Sequence, residues 1–211
     1  MKPLFVKSMT VFFMVSLFFS CSLQGAVRGT NPVPETIPEK AEVPATPRYI
    51  MGKGLVTYEK MSAFLKEINP GSEESFAGEL AQLYIKEAAS EGVNHDVAFA
   101  QMCLETGFLR YGGLVTADMN NFCGLGSIGP GQPGERFATA QLGVRAHIQH
   151  LKAYATEAPL NGELVDPRYR WVKYGSAPAI HDLAGKWAAD REYGNKIEAL
   201  LERLYAFAFT A

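Results

Sequence analysis

Ala98-Phe99-Ala100-Gln101-Met102-Cys103-Leu104-Glu105-Thr106-Gly107-Phe108 is the stretch from which the rest of the chain can be read. Between Val97 and Leu104 the only strongly polar side chain is Gln101, and a helix that is apolar on every side belongs in a core. Gly107 is placed to end this helix in a left-handed cap. Glu105 then falls in the last turn, where the helix dipole is negative and disfavours an anion. Phe108 and Tyr111 add desolvation in the same direction, so the carboxyl pKa is expected to rise. A carboxyl group that stays protonated near neutral pH is the form that serves as a general acid. The bland alternative is a glutamate reaching solvent from a helix end.

Outward from this stretch, the clear periodicities are helical, and the expected class is mainly α. Phe64, Leu65 and Ile68 suggest a short helix ended by Asn69-Pro70-Gly71. Phe76, Leu80, Leu83, Tyr84 and Ala88 mark one face of a longer helix stopped by Gly92. From Gly107 to Gly134 eight glycines and two prolines in 28 residues give too much backbone freedom for a helix. That stretch reads as a glycine-rich loop with short strands. Thr139 is a candidate cap for a helix whose Val144, Ile148, Leu151 and Ala155 share a face. Ile180, Leu183, Ala184 and Trp187 read as a further short helix, and Ile197, Leu200, Leu201, Leu204 and Tyr205 as the face of the last one.

The 211 residues at 47% hydrophobic suffice for one sizeable core with an appended leader. A net charge of -2 without a dense Lys/Arg run argues against nucleic acid as a partner. Lys2 and Lys7 precede an almost wholly apolar run from Met9 to Phe19, and Ser20 precedes Cys21. Residues 1–20 therefore read as an export signal of the lipoprotein type, with Cys21 as the lipidated anchor. The apolar run is well short of the roughly twenty residues that span a bilayer. Residues 21–48 carry Pro32, Pro34, Pro38, Pro44 and Pro47 without apolar periodicity, the composition of a disordered linker. At ~3.1 Å per residue it reaches on the order of 80 Å from the membrane surface. The folded domain is expected over residues 49–211, exported, membrane-tethered and monomeric.

Several short segments then match one family in order. Ala100-Gln101-Met102-Cys103-Leu104-Glu105-Thr106-Gly107, Asn120-Asn121-Phe122-Cys123-Gly124-Leu125-Gly126 and the run from Gly143 to Tyr154 resemble the β-N-acetylglucosaminidase domain of bacterial cell-wall hydrolases, glycoside hydrolase family 73. Asp166-Pro167-Arg168, Gly175-Ser176-Ala177-Pro178, Lys186-Trp187-Ala188 and Tyr193-Gly194 continue the order to Ile197. Each is weak alone, and their succession is specific. The resemblance covers the chain from about Phe76 onward. It implies a lysozyme-like α fold with a short loop or β lobe beside the cleft. It also implies cleavage of the β-1,4 bond between N-acetylglucosamine and N-acetylmuramic acid in peptidoglycan, with Glu105 as general acid and no cofactor.

Glycoside cleavage also needs a group that supports an oxocarbenium-like transition state. The family's second acid lies in a variable lobe that is short here and offers only Asp118 and Glu135, of which Glu135 is preferred. Tyr193 matches the family's cleft tyrosine and is a candidate to position substrate or support that charge through its phenol, and the substrate's own N-acetyl group is the alternative to a second acid as nucleophile. Asn121 and Phe122 are candidate sugar contacts, the first through its amide and the second through its ring. Tyr111, Trp171 and Tyr174 are further candidates for substrate binding. His147 and His150 have a spacing that can hold a metal, but without a third ligand they read as hydrogen-bonding residues between lobes, as does Arg145. Cys103 and Cys123 are either a structural disulfide behind the catalytic helix or free buried thiols. Competing readings are a muramidase or lytic transglycosylase on the same polymer, and a wall-binding scaffold without catalysis.

Overall fold

The structure is a computed structural model that describes residues 42–210. The expected leader, the anchor at Cys21 and the linker as far as Ala41 lie outside the described residues. Residues 42–47 follow no regular element, and Arg48 to Ile50 pair with the 178–180 stretch: Ile50 N–H donates to Pro178 O and Ile180 N–H to Arg48 O, each at 3.0 Å.

Among the described residues five α-helices carry the fold: α1 (Tyr58–Ile68), α2 (Glu74–Glu91), α3 (His95–Thr106), α4 (Ala140–Ala155) and α5 (Tyr193–Phe209). Short 3-10 turns lie at Ala117–Met119, Tyr169–Trp171 and Ile180–Leu183. The mainly α class is as the periodicity indicated. Local chemistry sets the boundaries. Thr57, Asn94 and Thr139 cap α1, α3 and α4 through their side-chain oxygens, and Gly92 and Gly107 end α2 and α3 in the left-handed region. The first helix begins at Tyr58, well before the apolar residues that announced it, because Thr57 accepts from Lys60 N–H.

α3 is the central element and packs against α2, α4 and α5. Val97, Ala98, Phe99, Met102 and Cys103 have no exposed surface, as an all-round apolar sequence requires. Asp96 ties its first turn to two other parts of the chain. The fully buried carboxylate accepts from Leu55 N–H at 2.7 Å, from Val56 N–H, and from the Tyr205 hydroxyl of α5 at 2.8 Å. Hydrogen bonds to a charged acceptor are among the stronger ones, so this end of α3 is fixed and the other is aimed.

Two expectations change at this level. The glycine-rich stretch contains no strand among the described residues; its nearest approach is an isolated bridge between Gly129 and Gln132. Too many of its residues sit at positive φ for a ladder to form, among them Gly124, Gly126, Gly129, Gly131 and Gly134. The segment expected to be a helix through Trp187 stops at Leu183, since Gly185 at φ 74° turns the backbone. Arg145 and His150 do bind across elements, as expected. Arg145 Nε pairs with Glu87 of α2 at 2.8 Å and His150 Nδ1 with the buried Asp166 at 2.7 Å.

Candidate active site

Glu105 stands one residue before the end of α3 and faces a cavity of about 230 Å³, which Tyr111, Leu114, Asn121, Gly124 and Ser127 also line. Its Oε1 accepts a hydrogen bond from Trp187 Nε1–H at 3.1 Å and a second, short one from the Tyr193 hydroxyl. Oε2 lies toward the loop, where a Cβ on Gly124 would sit 3.5 Å from it. Burial raises the carboxyl pKa, and the two donors pull it back only in part. The rise has the direction expected for a carboxyl at the end of an apolar helix, with desolvation as its largest cause. Of the two aromatic residues credited with that desolvation, Tyr111 lines the cavity while Phe108 turns away to pack on Phe64.

Tyr193 is the first residue of α5 and is 4% exposed, so the phenol is brought to Glu105 by a helix packed on α3. Trp187 is not among the candidate site residues that the sequence offers, where it falls on a helix face. Its ring is enclosed by His147, His150 and Tyr154, with centroids between 5.1 and 5.7 Å away. The turn at Gly185 frees its indole N–H to reach the carboxyl. Its one available sign was its place in the Lys186-Trp187-Ala188 segment of the resemblance.

Asn121 and Phe122 occupy adjacent positions with different surroundings. Asn121 is fully buried beside the cavity, but its amide is committed to the loop. Oδ1 accepts from Leu125 N–H at 2.9 Å, while Nδ2 donates to Leu125 O at 2.9 Å and Glu135 O at 3.0 Å. It shapes the loop that walls the cavity. Phe122 has no exposed surface and packs against Phe76 in the core, so its ring offers no face to a sugar.

Neither loop acid lines the Glu105 cavity. Glu135 is about one-third exposed and pairs with Arg168 at 3.7 Å, and the exposed Asp118 pairs with Arg136 at 2.8 Å. A second cavity, of about 260 Å³, adjoins the first through shared Gly124 and Ser127. Trp187, His150, Arg168 and Trp171 line it, and Trp171 is 70% exposed. Tyr174 stacks near Tyr169 with centroids 5.0 Å apart and belongs to a separate depression with Lys173 and Lys186. Cys103 and Cys123 are free, buried thiols. Among the described residues no group of three His, Cys, Asp or Glu side chains is arranged to hold a metal ion, and no helix is long and apolar enough to cross a membrane.

The model of the glucosaminidase family, described as mannosyl-glycoprotein endo-β-N-acetylglucosaminidase, matches residues 81–206. The chain belongs to the glucosaminidase family. Its matched region runs from α2 to α5 and so includes Glu105, Trp187 and Tyr193. An uncharacterized protein of Borreliella burgdorferi is 40% identical over 159 residues, 75% of this chain and 78% of the relative. Among solved structures the chain is similar to autolysin E of S. aureus in complex with the muropeptide NAM-L-Ala-D-iGlu. That match has a TM-score of 0.48 and 13% identity, over 75% of this chain and 70% of the autolysin. A catalytic mutant of the same autolysin, in complex with the disaccharide NAG-NAM, gives a TM-score of 0.48 and 12% identity over 78% and 74%. As a member of the glucosaminidase family, the chain is a glycoside hydrolase.

Proposed function

We propose that this glucosaminidase hydrolyses peptidoglycan, cutting the β-1,4 bond between N-acetylglucosamine and N-acetylmuramic acid with Glu105 as general acid. The observation that carries the reading is the occupancy of Glu105. Trp187 Nε1–H can only donate, and both it and the Tyr193 hydroxyl point at Oε1. The acid proton therefore resides on Oε2, the oxygen directed at the loop wall of the cavity. Burial holds the carboxyl protonated to a higher pH than an exposed glutamate, which suits an acid that must protonate a leaving glycosidic oxygen.

Among the described residues Glu105 is the only carboxylate lining its cavity. This favours the substrate's acetamido oxygen as the group that attacks the anomeric carbon while Glu105 gives its proton to the departing oxygen. Water then opens the resulting ring after passing its proton back to Glu105, and the product keeps the β configuration. We further propose from the leader that the protein is exported and anchored in a bacterial membrane through lipid on Cys21, with the proline-rich linker carrying the enzyme to the wall.

Digestion of purified peptidoglycan by wild type and Glu105→Gln tests this reading. Reduced N-acetylglucosamine ends from the wild type alone support it. Reduced or anhydro N-acetylmuramic acid ends would reassign the bond, and binding without products would make the chain a scaffold. The anomer first released, read by proton NMR, separates attack by the acetamido group from direct attack by water.

A further inference from the structure

Tyr193 has one proton and two polar neighbours: Glu105 Oε1 and, at 2.8 Å, the side-chain amide of Gln101. If the amide turned its oxygen to the phenol, that proton would be drawn away from the carboxyl. What faces the far end of the amide therefore matters. His147 Nε2 lies 3.0 Å from Gln101 Oε1, and His147 Nδ1 lies 2.8 Å from the Tyr84 hydroxyl. Tyr84, Gln101 and His147 have no exposed surface, so water does not compete at these contacts.

The direction of each bond follows from chemistry. Burial pushes the His147 pKa down to about 3, which leaves a neutral ring with one N–H. Among the described residues Tyr84 has no acceptor for its hydroxyl proton other than His147 Nδ1, so the ring proton sits on Nε2. That N–H requires the Gln101 carbonyl oxygen opposite it, which turns the Gln101 NH2 toward Tyr193. The phenol oxygen then receives from Gln101 and the phenol proton goes to Glu105.

We propose that Gln101 and His147, backed by Tyr84, are positioning residues: a one-way line of hydrogen bonds through α2, α4, α3 and α5 that commits the Tyr193 proton to Glu105 Oε1. Donation from Gln101 makes the phenol a stronger donor, so the line sets how far burial can raise the acid. It also reserves Oε2 for the transferable proton. This role rests on the assignment of Glu105 as the acid.

The titratable groups around the line do not reverse it. On the Glu105 side these are Tyr193 from α5, Tyr111 and Cys123 from the loop, and on the His147 side Tyr84 from α2 and His150 from α4. Burial raises the pKa of all three tyrosines and the thiol, so each stays protonated at neutral pH. His150 is turned to Asp166, away from the line.

The test reads the titration of the Glu105 carboxyl by carbon-13 NMR in the full-length protein. Gln101→Met keeps the length of the side chain and removes the donor. It is expected to raise the Glu105 midpoint so that the acid dissociation constant falls about tenfold, and to add nothing further in a Tyr193→Phe background. No shift, or the same shift with and without the phenol, overturns the proposal. Should Gln101→Met fail to fold, nitrogen-15 NMR of the wild-type imidazole decides. A ring protonated on Nε2 and bare on Nδ1 from pH 8 to pH 4 supports the line; a ring protonated on Nδ1 overturns it. Neither readout needs turnover, so failure to cleave peptidoglycan would count against the proposed reaction and leave this line to its own result.

Discussion

At Glu105 a helical wall faces a loop wall, and the two hold their polar groups in opposite ways. On the helical side, α3 and α5 with the turn at Trp187 bring Tyr193 and the indole N–H to a carboxyl whose second oxygen is left for a reactant. On the loop side, Asn121 spends its amide on Leu125 and Glu135 of its own loop. One wall supplies chemistry and the other supplies shape. Among the described residues no buried side-chain nitrogen or oxygen lacks a hydrogen-bond partner, as is usual, so what marks the reactive wall is that Oε2 opens on the cavity while Oε1 holds both donors.

The sharpest way to break this contrast is to alter each wall in turn. Glu105→Gln should remove about 10² to 10⁴-fold of the rate, measured as new reducing ends, since that is the usual worth of a positioned acid. The same change should not weaken the fold. A raised carboxyl pKa means that the folded state holds its proton more tightly than the unfolded state, so ionising Glu105 opposes folding. Stability attributable to this group is therefore full below the unfolded value of 4.5 and declines as pH rises through the folded value. The melting temperature of Glu105→Gln should gain on that of wild type as pH rises above the unfolded value of 4.5, until the folded carboxyl has ionised. A variant that lost stability across that range would place the carboxylate in a structural role.

Gly143→Ala attacks the seam between the walls. A Cβ at Gly143 would meet the backbone oxygen of Asn120 at 1.8 Å, in a contact that no side-chain movement can relieve. Separation of α4 from the loop should cost about 3 kcal/mol or more, read by urea denaturation. Asn121→Ala should cost less, about 1–3 kcal/mol, because it strands the Leu125 amide without opening the core. Its loss should be local: faster hydrogen exchange between Asn121 and Glu135, lower kcat, and little change at α3. If exchange in α3 rose equally, the loop would be part of one cooperative unit with the helices.

The difference between the walls also explains what could be read in the chain. α2, α4 and α5 were legible because their apolar residues recur at helical spacing and Gly92 and Thr139 mark their ends. Glu105 stood out because a carboxyl at the end of an apolar helix is costly. Asn121 and Phe122 were readable as a pair but not in their orientations. Nothing local tells whether Phe122 faces a sugar or Phe76, and the bond from Asn121 to Glu135 spans 14 residues. Trp187 was hidden for the same reason: its role comes from Glu105, 82 residues away.

Acid titration probes the positioning residues behind the helical wall. His147 is depressed from 6.5 to about 3 by burial, so its neutral form stabilises the fold above pH 6.5, and that support is lost as pH falls toward 3. One such group contributes a slope of ~1.4 kcal/mol per pH unit between those limits. Unfolding free energies of wild type and His147→Gln, taken from pH 6.5 to pH 4, should therefore converge as the pH drops.

The smallest effect belongs to Trp171, where the two walls open to solvent. Its ring is 70% exposed and lies near the Arg170 guanidinium, 5.2 Å from the ring centroid, so removing it disturbs no packed neighbour. An exposed indole on the rim of a cavity that adjoins Glu105 has the form of a platform for a sugar face. Trp171→Ala should raise KM about three- to tenfold, the equivalent of roughly 1 kcal/mol of lost contact, while kcat and the melting temperature stay as they were. A fall in kcat with KM unchanged would mean that the cavity beside Trp187 acts on the transition state. The division between a wall that reacts and one that shapes would then have to be redrawn to include the rim.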